Sequence, residues 1–224
     1  MTWRQKIWMA VALGFLAGFL GGDAWGQAAP PGEIVAAVQK RYEATKSLRA
    51  KFTQQSFLKI MGQSQKAQGD VWIKKPGKMK WVYTAPDPQV LITHQGTLWL
   101  YLPEDGQATK MKIDNVYSSN TPALFLAGRG SLTESFNVGQ VLTRETSYKI
   151  TLFPKNPEGS MDRLVVWADK KSYQIIGSSV YDKLGNRTDM RFREIQVNPD
   201  LPDSIFRFIP PEGVEIIDVS ENSN

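Results

Sequence analysis

Lys78-Met79-Lys80-Trp81-Val82-Tyr83 decides the reading of this chain. Large apolar side chains at 79, 81 and 83 alternate with Lys78, Lys80 and Val82, the period of two that belongs to a half-buried β-strand. The lysines mark the wet face, so Met79, Trp81 and Tyr83 are predicted to point inward. The same pattern returns on both sides. Met111 and Ile113 alternate with Lys110 and Lys112, and Tyr148, Ile150 and Leu152 alternate with Lys149 and Thr151.

Turn residues cut the apolar runs at short intervals. Gln95-Gly96 and Gly106 separate the runs 90–93, 97–102 and 108–113 as hairpin turns do, and Leu184-Gly185-Asn186 separates predicted strands near 173–182 and 187–197. Met190 and Phe192 share one phase while Ile195 and Val197 share the other, which predicts a bulge near Arg193-Glu194. Leu98-Trp99-Leu100-Tyr101-Leu102 is apolar in both phases and therefore needs cover on both faces. A cavity on one side and a helix on the other would provide it.

Two segments read as helices. Ile34, Val35, Val38 and Tyr42 recur at helical spacing and predict one amphipathic helix over 33–46. Thr121-Pro122-Ala123-Leu124-Phe125-Leu126-Ala127-Gly128 has a capping Thr, Pro at the first helical position and Gly at the end, with an apolar turn between them. Such a segment is either a short helix buried in the core or a lid over an apolar cavity. Many strands, short turns and one long helix predict a mainly β (α+β) fold, a large curled antiparallel sheet or barrel.

The start of the chain reads as a signal peptide over residues 1–26. Arg4 and Lys6 precede an uncharged apolar run from Ile7 to Leu20, and Ala24-Trp25-Gly26 offers small residues for a cut after Gly26. A membrane anchor is the alternative, but the run is shorter than the roughly 20 residues that a spanning helix needs. Residues 27–224 then form one exported domain. The net charge of +5 becomes +4 once Arg4, Lys6 and Asp23 are removed, a mild excess that suits an anionic lipid surface or an acidic protein.

Composition excludes several chemistries. With no cysteine among 224 residues there is no disulfide scaffold, thiol nucleophile or iron–sulfur site, and with one histidine, His94, there is no multi-His metal centre. Gly-x-Ser-x-Gly, phosphate-loop and dinucleotide-binding patterns are all missing. Trp72, Lys74, Lys75, Lys78, Lys80 and Trp81 mix rings with cations as single-strand nucleic-acid binders do, but export argues against that partner. An exported domain with lysines outside and rings inside suits an apolar ligand.

The chain resembles the periplasmic outer-membrane lipoprotein carrier family, the LolA-type proteins. Phe52-Thr53-Gln54 follows the first helix; Gly69-Asp70-Val71-Trp72-Ile73-Lys74-Lys75-Pro76 resembles the family's Gly-Asp-x-Trp-Val-Lys-Arg-Pro, with Trp81 at the expected distance. Gly96-Thr97-Leu98-Trp99-Leu100-Tyr101, Asn120-Thr121-Pro122 and Phe206-Arg207-Phe208-Ile209-Pro210-Pro211-Glu212-Gly213-Val214 resemble further family stretches, in order and at compatible spacing.

This resemblance implies an incomplete, strongly curved antiparallel β-barrel whose amino-terminal helix and short lid helix cover an apolar cavity. The implied activity is transport, not catalysis. The carrier would accept lipidated proteins from an inner-membrane ATP-driven releasing complex and pass them to an outer-membrane receptor. A lipid- or lipoprotein-sensing module and an exported hydrolase are the rivals. No cofactor, metal or nucleic acid is expected, and the chain is expected to be monomeric. Trp72, Met79, Trp81, Tyr83, Trp99, Tyr101, Met111, Leu124 and Phe125 are assigned to the acyl-chain cavity. Lys75 stands where the family has an arginine that holds the lid through carbonyls, so it is assigned as the latch. Met79 stands where the family has an aromatic residue near the cavity mouth.

Overall fold

The computed structural model describes residues 29–112, 131–156 and 159–220. The predicted signal peptide, Leu124, Phe125 and the whole predicted lid helix fall outside the described residues.

Helix α1 spans Pro31–Ala44, with Pro31 at its first position and Ile34, Val35, Val38 and Tyr42 buried along one stripe. Twelve strands follow among the described residues: β1 Ser47–Leu58, β2 Gln63–Lys74, β3 Lys78–Ala85, β4 Gln89–His94, β5 Thr97–Leu102, β6 Gln107–Lys112, β7 Phe136–Thr143, β8 Ser147–Pro154, β9 Met161–Asp169, β10 Ile175–Asp182, β11 Arg187–Val197 and β12 Glu215–Asp218. A one-turn helix α2, Leu132–Ser135, precedes β7; Ser131 caps it by accepting from the Glu134 backbone N–H.

These twelve strands lie in one sheet, ordered β12-β6-β5-β4-β3-β2-β1-β11-β10-β9-β8-β7. Every pairing among them is antiparallel except that of β12 with β6. The edges β7 and β12 do not pair with each other, so the sheet is open rather than closed into a barrel. A sheet of this width coils under its own twist.

The structure bears out the hairpin readings. Gln95 (φ 49°) and Gly96 (φ 79°) both take positive φ between β4 and β5, as a type I′ turn requires. The bulge falls where the phase slips: Glu194 sits at φ 53°, and the β1–β11 register shifts between Arg49 and Lys51. Gly69 is needed for close approach, because a Cβ there would lie 1.9 Å from the Val82 carbonyl oxygen.

Register assigns the faces. On the inner face, Leu48, Ala50 and Phe52 of β1 stand opposite Ile73, Val71 and Gly69 of β2, which stand opposite Met79, Trp81 and Tyr83 of β3. The row continues through Thr93 and Leu91 of β4, Leu98 and Leu100 of β5, and Met111 and Thr109 of β6. On the other wing, Tyr148, Ile150 and Leu152 of β8 meet Leu164, Val166 and Ala168 of β9, and α1 packs on them.

The outer face has its own cover. Beyond β11 the chain returns through a 3-10 turn, Asp203–Phe206, against β3 and β4. Leu201 and Phe206 are buried, and Phe208 lies 5.1 Å from the Trp99 ring and 5.5 Å from the Tyr101 ring. Lys74 Nζ donates to the Leu201 carbonyl at 2.7 Å, and Lys74 and Lys78 each reach Asp203 at 2.7 Å. The two cations and their hydrogen bonds hold the Asp203 carboxyl down at about 2.

Candidate apolar binding site

Inner-face residues of β1 to β6 form the candidate site. Phe52 is its hub: its ring meets Trp81 edge-on at 4.8 Å and Tyr83 edge-on at 4.9 Å. Phe192 tilts toward Trp81 at 6.3 Å, and Met79, Met190 and Ile73 close the same cluster. Toward the β6 edge the lining changes. Leu91, Leu100 and Met111 are only half-buried, whereas Met79 and Trp81 are buried.

Few polar atoms interrupt this surface. The Tyr83 hydroxyl donates to Gln54 Oε1 at 3.0 Å, and burial pushes its pKa up to about 12, so it stays a neutral donor. Thr93 is fully buried but satisfied, accepting from the Met79 backbone N–H and donating to the Gly77 carbonyl, each at 3.1 Å. The Trp81 indole N–H is buried and has no hydrogen-bond partner among the described residues. Among the described residues, no group of three or more His, Asp or Glu side chains is placed to hold a metal ion. The surface therefore offers apolar area and a few neutral donors.

Structure divides the predicted cavity residues. Met79, Trp81, Tyr83 and Met111 share the inner face. Trp72, Trp99 and Tyr101 do not: they lie on the outer face, which corrects their assignment. Trp72 is out of phase with Val71 and Ile73 and sits between the Arg49 guanidinium at 5.7 Å and Lys80 Nζ at 5.9 Å. Trp99 and Tyr101 stand opposite Ile92 and Val90 and are covered by Phe208. The double-sided apolar strand β5 is thus explained by the carboxy-terminal segment, in place of the expected helix.

The lid that Lys75 is expected to latch lies outside the described residues. Within the described part, Lys75 Nζ donates to the Tyr42 carbonyl at 2.5 Å and lies 3.4 Å from the centre of the Tyr42 ring. Its partner among the described residues is the end of α1. Burial lowers its pKa to about 8, against the opposing pull of Glu43. A small cavity of about 30 Å³ beside it is lined by Tyr42, Leu48, Ile73, Ile175 and Phe192, at the seam between the two wings.

Four contributors escape the sequence reading. Gln54 orients Tyr83 from a strand that reads as polar. Leu91 and Leu100 extend the inner row, but only strand register separates them from their outward neighbours. Gln39 alone carries a visible signal, a polar residue on the buried stripe of α1. Its Oε1 accepts from the buried Leu132 N–H at 2.9 Å and ties α2 to the helix.

Comparison with known proteins adds the following. A profile of the family described as "Outer membrane lipoprotein carrier protein LolA" matches residues 43–209. A protein of Chromohalobacter salexigens called "Outer-membrane lipoprotein carrier protein" is 33% identical over 78% of this chain and 82% of its own length. One of the same description from Methylococcus capsulatus is 28% identical over 79% of this chain and 83% of its own. Among solved structures, an uncharacterised conserved protein of Thermus thermophilus aligns with a TM-score of 0.53 at 11% identity, covering 84% of this chain and 98% of that one. That likeness concerns the fold.

Proposed function

The chain belongs to the outer-membrane lipoprotein carrier family, and from that membership we propose that it is a periplasmic chaperone that shields the acyl chains of lipoproteins on the inner face of its sheet. One observation supports this most directly. Helix α1 packs on the β8–β10 wing, while the inner row from Phe52 through Trp81, Leu91 and Leu100 to Met111 continues apolar beyond it.

The energetics fit a carrier. A chain of about 16 carbons exposed to water costs on the order of 12 kcal/mol at about 0.8 kcal/mol per CH₂. An apolar face that covers such chains removes most of that barrier. Energy enters through an inner-membrane releasing complex driven by ATP, and direction comes from an outer-membrane receptor that binds the cargo more tightly. In this reading the chain is exported by its first 26 residues and cut near Gly26, residues 27–224 work as one carrier domain, and residues 121–127 close over the cargo. Lys75 latches the end of α1 beside the mouth, where it already meets the Tyr42 carbonyl.

Mass spectrometry of what co-purifies from the periplasm tests the proposal. Wild-type protein is expected to carry lipidated proteins. Leu100→Glu, which puts a carboxylate on the half-buried inner row, is expected to fold and emerge empty. Equal cargo on both, or only free lipid on the wild type, would overturn it.

A further inference from the structure

Two hairpin tips at one end of the sheet break the rule that turns are polar. The β1–β2 turn, Lys59-Ile60-Met61-Gly62, holds Ile60 85% exposed and Met61 66% exposed; the β10–β11 turn holds Leu184 67% exposed. Other turns of the sheet read Pro103-Glu104-Asp105-Gly106, Arg144-Glu145-Thr146 and Asp169-Lys170-Lys171-Ser172.

These two tips are one unit. The Lys59 backbone N–H donates to Asn186 Oδ1 at 3.0 Å, across the β1–β11 pairing that runs to Phe57 opposite Arg187. Asn186 in turn donates through its backbone N–H and side chain to the two Asp182 oxygens, at 2.9 and 2.8 Å. The two turns that carry the three exposed apolar side chains are therefore joined at a hydrogen-bonded base.

Cations surround this tip. Lys59 and Lys183 lie within the turns, Lys66 and Arg187 on the adjoining strands, and the Arg163 guanidinium lies 3.8 Å from the Tyr181 ring centre. Of the acids near the tip, Asp182 is held by Asn186, Asp162 by Arg163 at 2.6 Å and Asp189 by Arg187 at 2.9 Å, while Asp87 lines the inner-face opening beside Lys66. On the inner side, an opening of about 200 Å³ begins at the Ser56–Gln65 pair, the third pair from the turn, and is bounded by Tyr83 and Leu91.

We propose that the joined β1–β2 and β10–β11 tips dip into the interfacial layer of an anionic phospholipid bilayer. Apolar side chains at such a tip enter the boundary between headgroups and acyl chains, and lysines beneath them keep their ammonium groups at the headgroups. Anionic lipid attracts a basic rim of this kind. A bilayer suits the tip better than a protein does, since three side chains fall far short of the roughly 800 Å² per partner of a stable protein interface. A docked tip also sets the inner-face opening against the lipid; that consequence rests on the carrier reading, whereas the docking does not.

The absence of cysteine makes the test direct. An environment-sensitive NBD label is placed on the cargo-free mature protein at Ile60→Cys, or at Thr146→Cys in an exposed turn at the opposite end of the strands. Vesicles of phosphatidylethanolamine and phosphatidylglycerol should raise emission several-fold at position 60 and leave position 146 unchanged. Vesicles of phosphatidylcholine alone should raise it less. Combining Ile60→Glu, Met61→Glu and Leu184→Glu should lower vesicle co-flotation roughly tenfold while the thermal melt stays in place, because all three side chains are exposed. No response at position 60, an equal response at 146, equal binding to both vesicle types or undiminished flotation of the triple variant would each overturn the proposal. Because cargo-free protein is used, these results do not depend on whether lipoproteins co-purify.

Discussion

The two wings of the inner face are built from the same alternating strands, yet they differ in finish. On the β8–β10 wing, aliphatic side chains such as Ile150, Leu152, Leu164 and Val166 lock against Val35 and Val38 of α1, and nearly all are buried. On the β1–β6 wing, the core thins from the ring cluster of Phe52, Trp81 and Tyr83 to the half-buried Leu91, Leu100 and Met111. The first wing meets its covering helix inside the same chain. The second keeps apolar area that the described elements leave half-covered, as a face for a separable apolar partner must. Rings and methionines suit it, since they offer large area and, in Met, an adaptable shape.

The largest expected effect breaks the comparison if it is wrong. Leu164→Ala deletes a sealed core side chain and should cost about 2–5 kcal/mol in urea denaturation. Leu100→Ala on the half-covered wing should cost about 1 kcal/mol or less, yet weaken binding of an apolar dye such as bis-ANS. Equal stability losses would mean that the wings do not differ in kind.

A smaller effect separates the two faces of strand β5. Trp99→Ala removes the outer-face contact with Phe208 and should cost about 1–2 kcal/mol, with dye binding unchanged. A loss of dye binding without a loss of stability would return Trp99 to the inner site.

The smallest effect lies at the seam. The Lys75 ammonium has a pKa of about 8 in the folded protein and 10.5 as its ordinary value, so between these values the unfolded chain binds more protons. Stability contributed at this residue must therefore rise as pH climbs through that window. The urea midpoint of the wild type relative to Lys75→Met should increase between pH 7.5 and pH 10. A flat or falling difference would show that burial does not govern Lys75.

Much of this is legible in the sequence, for physical reasons that differ from place to place. Lysines at 78 and 80 betray the wet face of β3, so the inward set of Met79, Trp81 and Tyr83 follows from alternation alone. The slip between Phe192 and Ile195 betrays the Glu194 bulge, because an extra residue must reverse the phase. Trp99 and Tyr101 give no such mark. Strand β5 is apolar in both phases, and the cover that makes one of them outer, Phe208, comes from the far end of the chain. Lys75 announces itself as a cation at a strand end, but its acceptor is a helix carbonyl, and any carbonyl reads alike in sequence.

Sequence by itself determined the strands, their phases, most turns and the family, because period, turn chemistry and ordered motifs are local properties of the chain. Tertiary structure alone decided which face of the doubly apolar strand β5 is inner, and that two apolar turns meet at one tip. A strand's period says only that two faces differ; which of them meets the helix, the returning chain or solvent depends on contacts between residues far apart in sequence.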